Sequence, residues 1–183
     1  MEWIANLDAY ILLFIQESIR NPVLTPLFTV ITVLGNGAVI WILIALGMAA
    51  SRRTRQTALT CAVALLVSLL INNMALKNIV GRIRPYDAIG GLVPLIGRPR
   101  DYSFPSGHTA SSFAAAWVLF RRVPKRFGIP AFTLAGLIGI SRLYLGVHYP
   151  TDVLFGVISG IGCGCIACVL VPALMRQKGH VER

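Results

Sequence analysis

The chain has 183 residues, of which 56% are hydrophobic and only 13% are charged. A soluble domain carries about a quarter charged residues, so this composition, with a mean hydropathy of +0.72, excludes an ordinary soluble protein. The net charge of +10 is divided into short clusters between apolar blocks, a distribution that fits membrane orientation better than nucleic-acid binding.

The first predicted element is an apolar-rich helix over residues 7–19, either a short span or an interfacial helix. Asn21 and Pro22 end it. Longer apolar segments follow, most of them close to the roughly 20 residues that cross a bilayer core. They lie near residues 23–49, 57–76, 106–120, 128–147 and 152–175. The predicted fold is an all-α, polytopic membrane bundle of five to six transmembrane helices in one domain, residues 1–183.

The segment 106–120 is short for a lipid-facing helix, so we expect neighbouring helices to bury it. In the last segment, glycines recur every four residues along one helix face, a pattern that permits close helix packing. They are Gly156, Gly160 and Gly164. Cys163, Cys165 and Cys168 share this apolar segment, where cysteine behaves as a small hydrophobic residue. Their spacing lacks the paired geometry of a zinc site, and we expect no metal there.

Basic residues favour the cytoplasmic side of a membrane protein, and the larger group here is predicted to be cytoplasmic. It comprises Arg52, Arg53, Arg55, Arg121, Arg122, Lys125, Arg126, Arg176, Lys178 and Arg183. The smaller group comprises Arg20, Lys77, Arg82, Arg84, Arg98, Arg100 and Arg142. The loop 78–105 and the turn at His148 are therefore predicted to be external. The first 13 residues lack a basic start, so no cleavable signal peptide is expected.

Two polar clusters precede and open the segment 106–120. In KNIVGRIRP, a helix ended by Pro85 would carry Lys77 and Arg84 on one face. The two cations would then either bind an anion or extend their charged ends to the membrane edge as snorkelling side chains. In PSGH, Ser106 is a suitable helix N-cap, and the helix N-terminus behind it favours anions. His108 then lies beside the anion as a proton donor, or it merely forms a hydrogen bond.

The third cluster is SRLYLGVHYPTD. Arg142 can bind an oxyanion with two parallel hydrogen bonds. Asp152, four residues after His148, can accept from one imidazole nitrogen and leave the other free to attack. Together the three clusters supply three cations, a helix N-terminus, two histidines and an aspartate. That set suits phosphoryl transfer, which depends mainly on positioning and charge stabilisation.

The spacing K-x6-RP, PSGH and SR-x5-H-x3-D resembles the signature of the type 2 phosphatidic acid phosphatase superfamily, with every position filled in order. The resemblance implies that His148 is the nucleophile forming a phosphohistidine, that Asp152 orients it, and that His108 protonates the leaving oxygen. The residues implied to bind phosphoryl oxygens are Lys77, Arg84, Ser106, Gly107 and Arg142. No metal or other cofactor is implied, and Asp87 and Asp101 are expected only to solvate their loop.

The expected function is an integral membrane lipid phosphatase of the inner (plasma) membrane, with its site on the extracytoplasmic face. Undecaprenyl diphosphate is the favoured substrate, since the compact loop and the lack of an extra soluble domain resemble that group. Phosphatidylglycerophosphate and phosphatidic acid are alternatives. A lipid phosphotransferase would use the same residues. A vanadate-dependent haloperoxidase is disfavoured by the apolar segments, and a non-catalytic lipid binder by the two histidines.

Overall fold

The computed structural model describes residues 2–181, with the side chains of residues 2–176, and every regular element in this part is helical. The helices are α1 (Glu2–Phe14, continued by the π-helix Ile15–Ile19), α2 (Leu24–Leu34), α3 (Val39–Ala49), α4 (Arg55–Ser68, continued by the π-helix Leu69–Leu76), α5 (Lys77–Val80), α6 (Pro85–Ala88), α7 (Gly107–Arg122), α8 (Lys125–Tyr144) and α9 (Pro150–Val181). Lys178 and Arg183, predicted for the cytoplasmic tail, lie outside the described side chains.

The membrane-spanning prediction is confirmed in its coarse form. Within the described part, three helical segments are long and apolar enough to cross a bilayer, namely Arg55–Ala88, Lys125–Tyr144 and Pro150–Arg176. The pair Leu24–Leu34 and Asn36–Ala49 supplies a fourth if its two halves, bent by 51°, form one span. The protein is therefore an α-helical membrane protein, and the finer prediction of five to six spans is not confirmed.

Helix α7 has 16 residues and lies at the centre of the bundle, packed between α4, α8 and α9. Its buried face consists mostly of small side chains, including Ala110, Ala114, Ala115 and Ala116, which let the neighbouring helices approach closely. The expectation that neighbours bury this short segment is confirmed. One buried hydrogen bond, 2.9 Å from the Trp41 indole nitrogen to the Ser112 hydroxyl, joins α7 to α3.

The glycine repeat of α9 faces α7, as predicted. A methyl group added at Gly156 or Gly164 would lie about 3 Å from the carbonyl oxygen of Ser106 or Ala114. At Gly160 it would overlap the carbonyl oxygen of Ala110. Interhelical van der Waals packing is a main source of helix association in membranes, so these glycines bring the backbones of α7 and α9 together.

Helix α1 lies across one end of the bundle. Near its middle, Asp8 accepts a hydrogen bond from the amide of Thr151 at 3.0 Å. Just after its π-helical end, the Arg20 side chain donates to the carbonyl oxygens of Tyr144 and Val93, at 3.0 and 2.6 Å. Tyr144 and Thr151 flank the turn between α8 and α9, so the middle of α1 and the residue after its π-helical end contact the same end of the bundle. Of the two expectations for this segment, the contacts favour the interfacial helix.

The substitution Gly160→Ala should destabilise the protein by about 1–3 kcal/mol, because the new methyl group meets a helix backbone that cannot move aside. Gly162→Ala is the matched control, since no atom of the described residues outside its own helix lies within 4 Å of a methyl group there, and alanine favours helix by about 1 kcal/mol. Thermal unfolding in detergent measures both. Equal midpoints for the two variants would contradict the close α7–α9 contact.

Candidate active site

The three polar clusters of the sequence meet at the end of the bundle that α1 covers. Lys77 begins α5, and Arg84 stands just before α6. Gly107 and His108 begin α7, whereas Arg142 is near the end of α8. His148 lies in the turn that leads into α9. Residues up to 71 positions apart in the sequence, as Lys77 and His148 are, thus contribute to one site.

Lys77 and Arg84 converge by a different route from the one expected. Helix α5 ends at Val80, because Gly81 adopts a left-handed conformation with φ 59°, which glycine tolerates best. Arg84 is then extended, and Pro85 begins α6 instead of ending a helix. The single helix predicted through residues 77–84 is wrong. The two cations nevertheless come together, because both contact the same carboxylate.

That carboxylate belongs to Asp101. One of its oxygens pairs with the ammonium of Lys77, and the other accepts from Arg84 Nη2 at 2.6 Å. Burial alone would raise the pKa of Asp101, but the hydrogen bonds and charges of Lys77 and Arg84 outweigh it and lower the pKa to about 2. The expectation that Asp101 only solvates its loop is wrong, since its carboxylate lies between two cations of the site.

Arg142 has a guanidinium that is only partly satisfied by the protein. The residue is 3% exposed, and its Nη1 donates to the hydroxyl of Thr32 at 2.6 Å. Its buried Nε has no hydrogen-bond partner among the described residues. Buried donors are usually paired, so this guanidinium keeps hydrogen-bonding capacity that the described residues do not use.

Ser106 occupies the N-cap position of α7, but its side chain does not cap the helix. Its hydroxyl instead accepts from the hydroxyl of Thr109 at 2.9 Å, and its amide donates to the carbonyl oxygen of Asp152 at 3.2 Å. The capping prediction is therefore wrong in detail. Without a side-chain cap, the first turn of α7 keeps the positive potential that favours an anion.

His148 and Asp152 are neighbours, with 3.5 Å between His148 Nδ1 and Asp152 Oδ2. The same Asp152 oxygen accepts from the Ser103 hydroxyl at 2.5 Å and the Tyr149 amide at 3.0 Å. His148 Nε2 lies 3.2 Å from Arg84 Nη1. Burial lowers the pKa of His148 to about 4; Asp152 opposes this shift, and the charge of Arg142 adds to it. The imidazole is therefore neutral at physiological pH.

These side chains surround a cavity of about 350 Å³ with two chemically different ends. Its polar end is lined by Lys77, Arg84, Asp101, Gly107, His108, Arg142 and His148. Its apolar end lies between α3 and α4 and is lined by Ile42, Leu65, Leu66 and Leu69. Of the sequence-predicted site residues, Ser106 and Asp152 do not line the cavity and are fully buried behind it.

Sequence reasoning missed several polar residues around the cavity. Asn36, at the break between α2 and α3, has its side-chain oxygen 2.8 Å from His108 Nε2. Asn73 lies against Gly107, where an added methyl group would sit 2.8 Å from its amide oxygen. Both interrupt strongly apolar segments, and polar side chains within membrane segments are often functional. That signal was present in the sequence, whereas Ser103 and Arg82 gave no comparable one.

Comparison with known proteins agrees with this arrangement. The model of the PAP2 superfamily matches residues 57–176. Undecaprenyl-diphosphatase of Sulfolobus acidocaldarius is 30% identical over 121 residues, which cover 66% of this chain and 58% of that protein. Phosphatidylglycerophosphatase B of Bacillus subtilis is 35% identical over 156 residues, covering 78% of this chain and 73% of that protein.

Among solved structures, the crystal structure of Aquifex aeolicus LpxE superposes with a TM-score of 0.77 at 29% identity. The superposition covers 91% of this chain and 94% of that one. The family match includes all three polar clusters and the helices that carry them. The chain therefore belongs to the PAP2 superfamily.

Proposed function

We propose that this PAP2-family membrane enzyme hydrolyses the terminal phosphate of a lipid phosphate or diphosphate, most favourably undecaprenyl diphosphate. The observation that carries the proposal is the two-ended cavity. A phosphate fits the cations at its polar end, and a lipid tail fits the apolar end between α3 and α4. Ligand sites typically combine an apolar wall with a few convergent polar groups. Here the polar groups lie at one end of the cavity and the apolar side chains at the other.

The phosphate would displace the Asp101 carboxylate and bind Lys77 and Arg84 in its place. The unpaired Nε of Arg142 and the first turn of α7 at Gly107 supply further positive potential. Such preorganised donors stabilise the charge that develops in phosphoryl transfer. Ser106 is buried behind these phosphate-binding groups, where it would stabilise the start of α7 instead of binding the phosphate directly.

His148 would act as the nucleophile. Its neutral Nε2 attacks phosphorus, an N–P bond forms, and the P–O bond to the leaving group breaks with its electron pair on oxygen. His108, charged while it lies beside the negative phosphate, protonates that oxygen, and Asp152 stabilises the positive charge on the His148 imidazole from the Nδ1 side. Water then attacks the phosphohistidine, gives its proton to His108, and releases phosphate as the N–P bond breaks. His148 Nδ1 lies 3.5 Å from Asp152 Oδ2, so phosphate binding would have to bring the two groups closer to form a full hydrogen bond.

The path of the tail supports a polyprenyl substrate. A second apolar cavity of about 290 Å³ shares Ile42 and Leu65 with the first and continues between α3 and α4. It reaches Arg55, the first residue of α4, at the opposite end of the bundle. A groove along the whole length of α4 suits one long chain. The undecaprenyl-diphosphatase relative fits this assignment, and the phosphatidylglycerophosphatase relative keeps a two-chain lipid as the alternative.

We also place the site on the extracytoplasmic face of the plasma membrane. The supporting observation is that the chain alternates in direction between the packed helices. The basic loops at residues 51–55 and 121–126 consequently lie at the end opposite the cavity, and basic loops favour the cytoplasm.

The purified protein should release inorganic phosphate from undecaprenyl diphosphate, with lower rates for phosphatidylglycerophosphate and phosphatidic acid. Chelators should not inhibit, and His148→Ala should lose at least about 1,000-fold in rate, because the covalent step needs the imidazole. Each lipid is tested with and without a second lipid as acceptor. Transfer to that acceptor without free phosphate would replace hydrolysis by a phosphotransferase reaction.

Ala62→Phe should reduce turnover of undecaprenyl diphosphate at least about tenfold while leaving farnesyl diphosphate unaffected, because the ring fills the groove beyond the reach of a short tail. Ala62 lines the groove and is exposed, so the change should not disturb the core. Leu70→Phe, on an exposed position of α4's π-helical extension outside the groove, is the matched control. Equal losses for both diphosphates would contradict the tail path.

His148 should remain neutral as the pH falls from 7 to roughly 5.5, where an ordinary histidine is mostly protonated. Its protonation should occur only near pH 4, and Asp152→Asn should lower this midpoint further, since the carboxylate favours the charged imidazole. Nitrogen-15 histidine spectra in micelles, assigned with His148→Asn, measure the midpoint. A value near 6.5 would show that the ring is not desolvated.

A further inference from the structure

Arg82 connects helix α1 to the aspartate of the third polar cluster. Its Nη1 donates to Asp152 Oδ1 at 2.7 Å, and its Nη2 donates to Asp8 Oδ2 at 2.8 Å. The guanidinium also lies over the ring of Tyr149, 3.7 Å from the centroid. One side chain thus bridges two carboxylates from opposite ends of the sequence.

Asp8 is a buried residue whose carboxylate contacts Arg82 and Thr151. It is 1% exposed, although α1 otherwise presents mostly exposed residues. Its Oδ1 accepts from the Thr151 amide at 3.0 Å, and its Oδ2 accepts from the Thr151 hydroxyl at 2.5 Å. Arg82 Nη1 also donates to that hydroxyl at 2.7 Å. A buried carboxylate with a neutral donor on one oxygen, and a neutral and a charged donor on the other, has one fixed orientation.

The bridge determines which way the Asp152 carboxylate faces. Arg82 occupies Oδ1, so Oδ2 is the oxygen left for Ser103, the Tyr149 amide and the imidazole of His148. Without the guanidinium, Oδ1 would be a buried and unpaired acceptor, and the carboxylate would be free to rotate toward other donors. Arg82 is itself held by Asp8. The orientation of Asp152 therefore depends on a residue of α1, which lies outside the region of residues 57–176 that matches the family.

We propose that Asp8 and Arg82 are positioning residues for the reaction proposed above. Asp8 fixes the guanidinium of Arg82, Arg82 fixes the orientation of Asp152, and Asp152 holds His148 in the tautomer with its proton on Nδ1. The inference rests on the proposed role of His148 as the nucleophile. It assigns to α1 a part in the chemistry in addition to its place at the surface of the bundle.

The test compares isosteric variants in phosphate release from undecaprenyl diphosphate. Asp8→Asn should lower kcat about tenfold and Arg82→Gln about a hundredfold, as is typical when the support of a reacting group is removed. KM should stay within about twofold, because the phosphate-binding cations are untouched. Arg82→Lys, which keeps the charge but not the fork, should lie between wild type and Arg82→Gln.

Two controls separate positioning from simple stability. Asp87→Asn removes an exposed carboxylate that lies 3.5 Å from Arg98 and should leave kcat unchanged. Leu12→Ala loosens the apolar packing of α1 against Leu92 and Tyr149 and should lower the unfolding midpoint more than it lowers kcat. The proposal is overturned if Asp8→Asn has wild-type kcat, or if its loss of activity only tracks its loss of stability as in Leu12→Ala.

A second readout does not depend on turnover. Nitrogen-15 spectra at neutral pH should show His148 as the Nδ1-protonated tautomer in the wild type and as a mixture in Asp8→Asn and Arg82→Gln. If the wild type released no phosphate from any lipid, the proposed function would fail, and the spectra would still decide the positioning role. Unchanged spectra in both variants would overturn it, whereas a mixture would support it.

Discussion

The structure depends on the burial of cations at one end of an apolar helix bundle. Lys77, Arg84 and Arg142 are each less than 10% exposed, and isolated charges are costly in such surroundings. Asp101 compensates for two of them, and Arg142 keeps a buried donor that has no partner within the described part of the chain. The Asp101 carboxylate stabilises this concentration of positive charge. The same cations could bind a phosphate in its place.

Much of the fold serves to hold that charged end in place. The small residues of α7 and the glycines of α9 let these two helices approach closely, and the beginnings of both helices enter the site. The bend at residues 35–38 brings Asn36 to His108, and α1 closes the same end through Asp8 and Arg20. The remaining lengths of α3 and α4 are apolar and border the groove. The polar side chains of the site are thus confined to one end of the bundle, and the groove between α3 and α4 is apolar.

The sequence was sufficient for most of the helices and for six of the seven residues that line the polar end, because apolar length and residue spacing are local signals. It failed where the chain leaves regular geometry. Gly81 interrupts the helix expected through residues 77–84, so Arg84 reaches Lys77 by an extended segment. Asp101 and Arg82 were misjudged or overlooked, since their partners lie at least 17 residues away and no spacing rule connects them. The predicted number of spans is not confirmed, since α7 has only 16 residues and the contacts of α1 favour an interfacial helix.

The carboxylate of Asp101 has a consequence for an enzyme surrounded by phospholipids. Most of these lipids present a phosphodiester with a single negative charge, and exchange of one monoanion for another gains little electrostatic energy. A terminal phosphate can carry two charges, so it can replace the carboxylate at Lys77 and Arg84 and still offer an oxygen to Arg142. On the proposed function, the built-in counter-ion would act as a charge filter that keeps the abundant diesters of the bilayer from occupying the site.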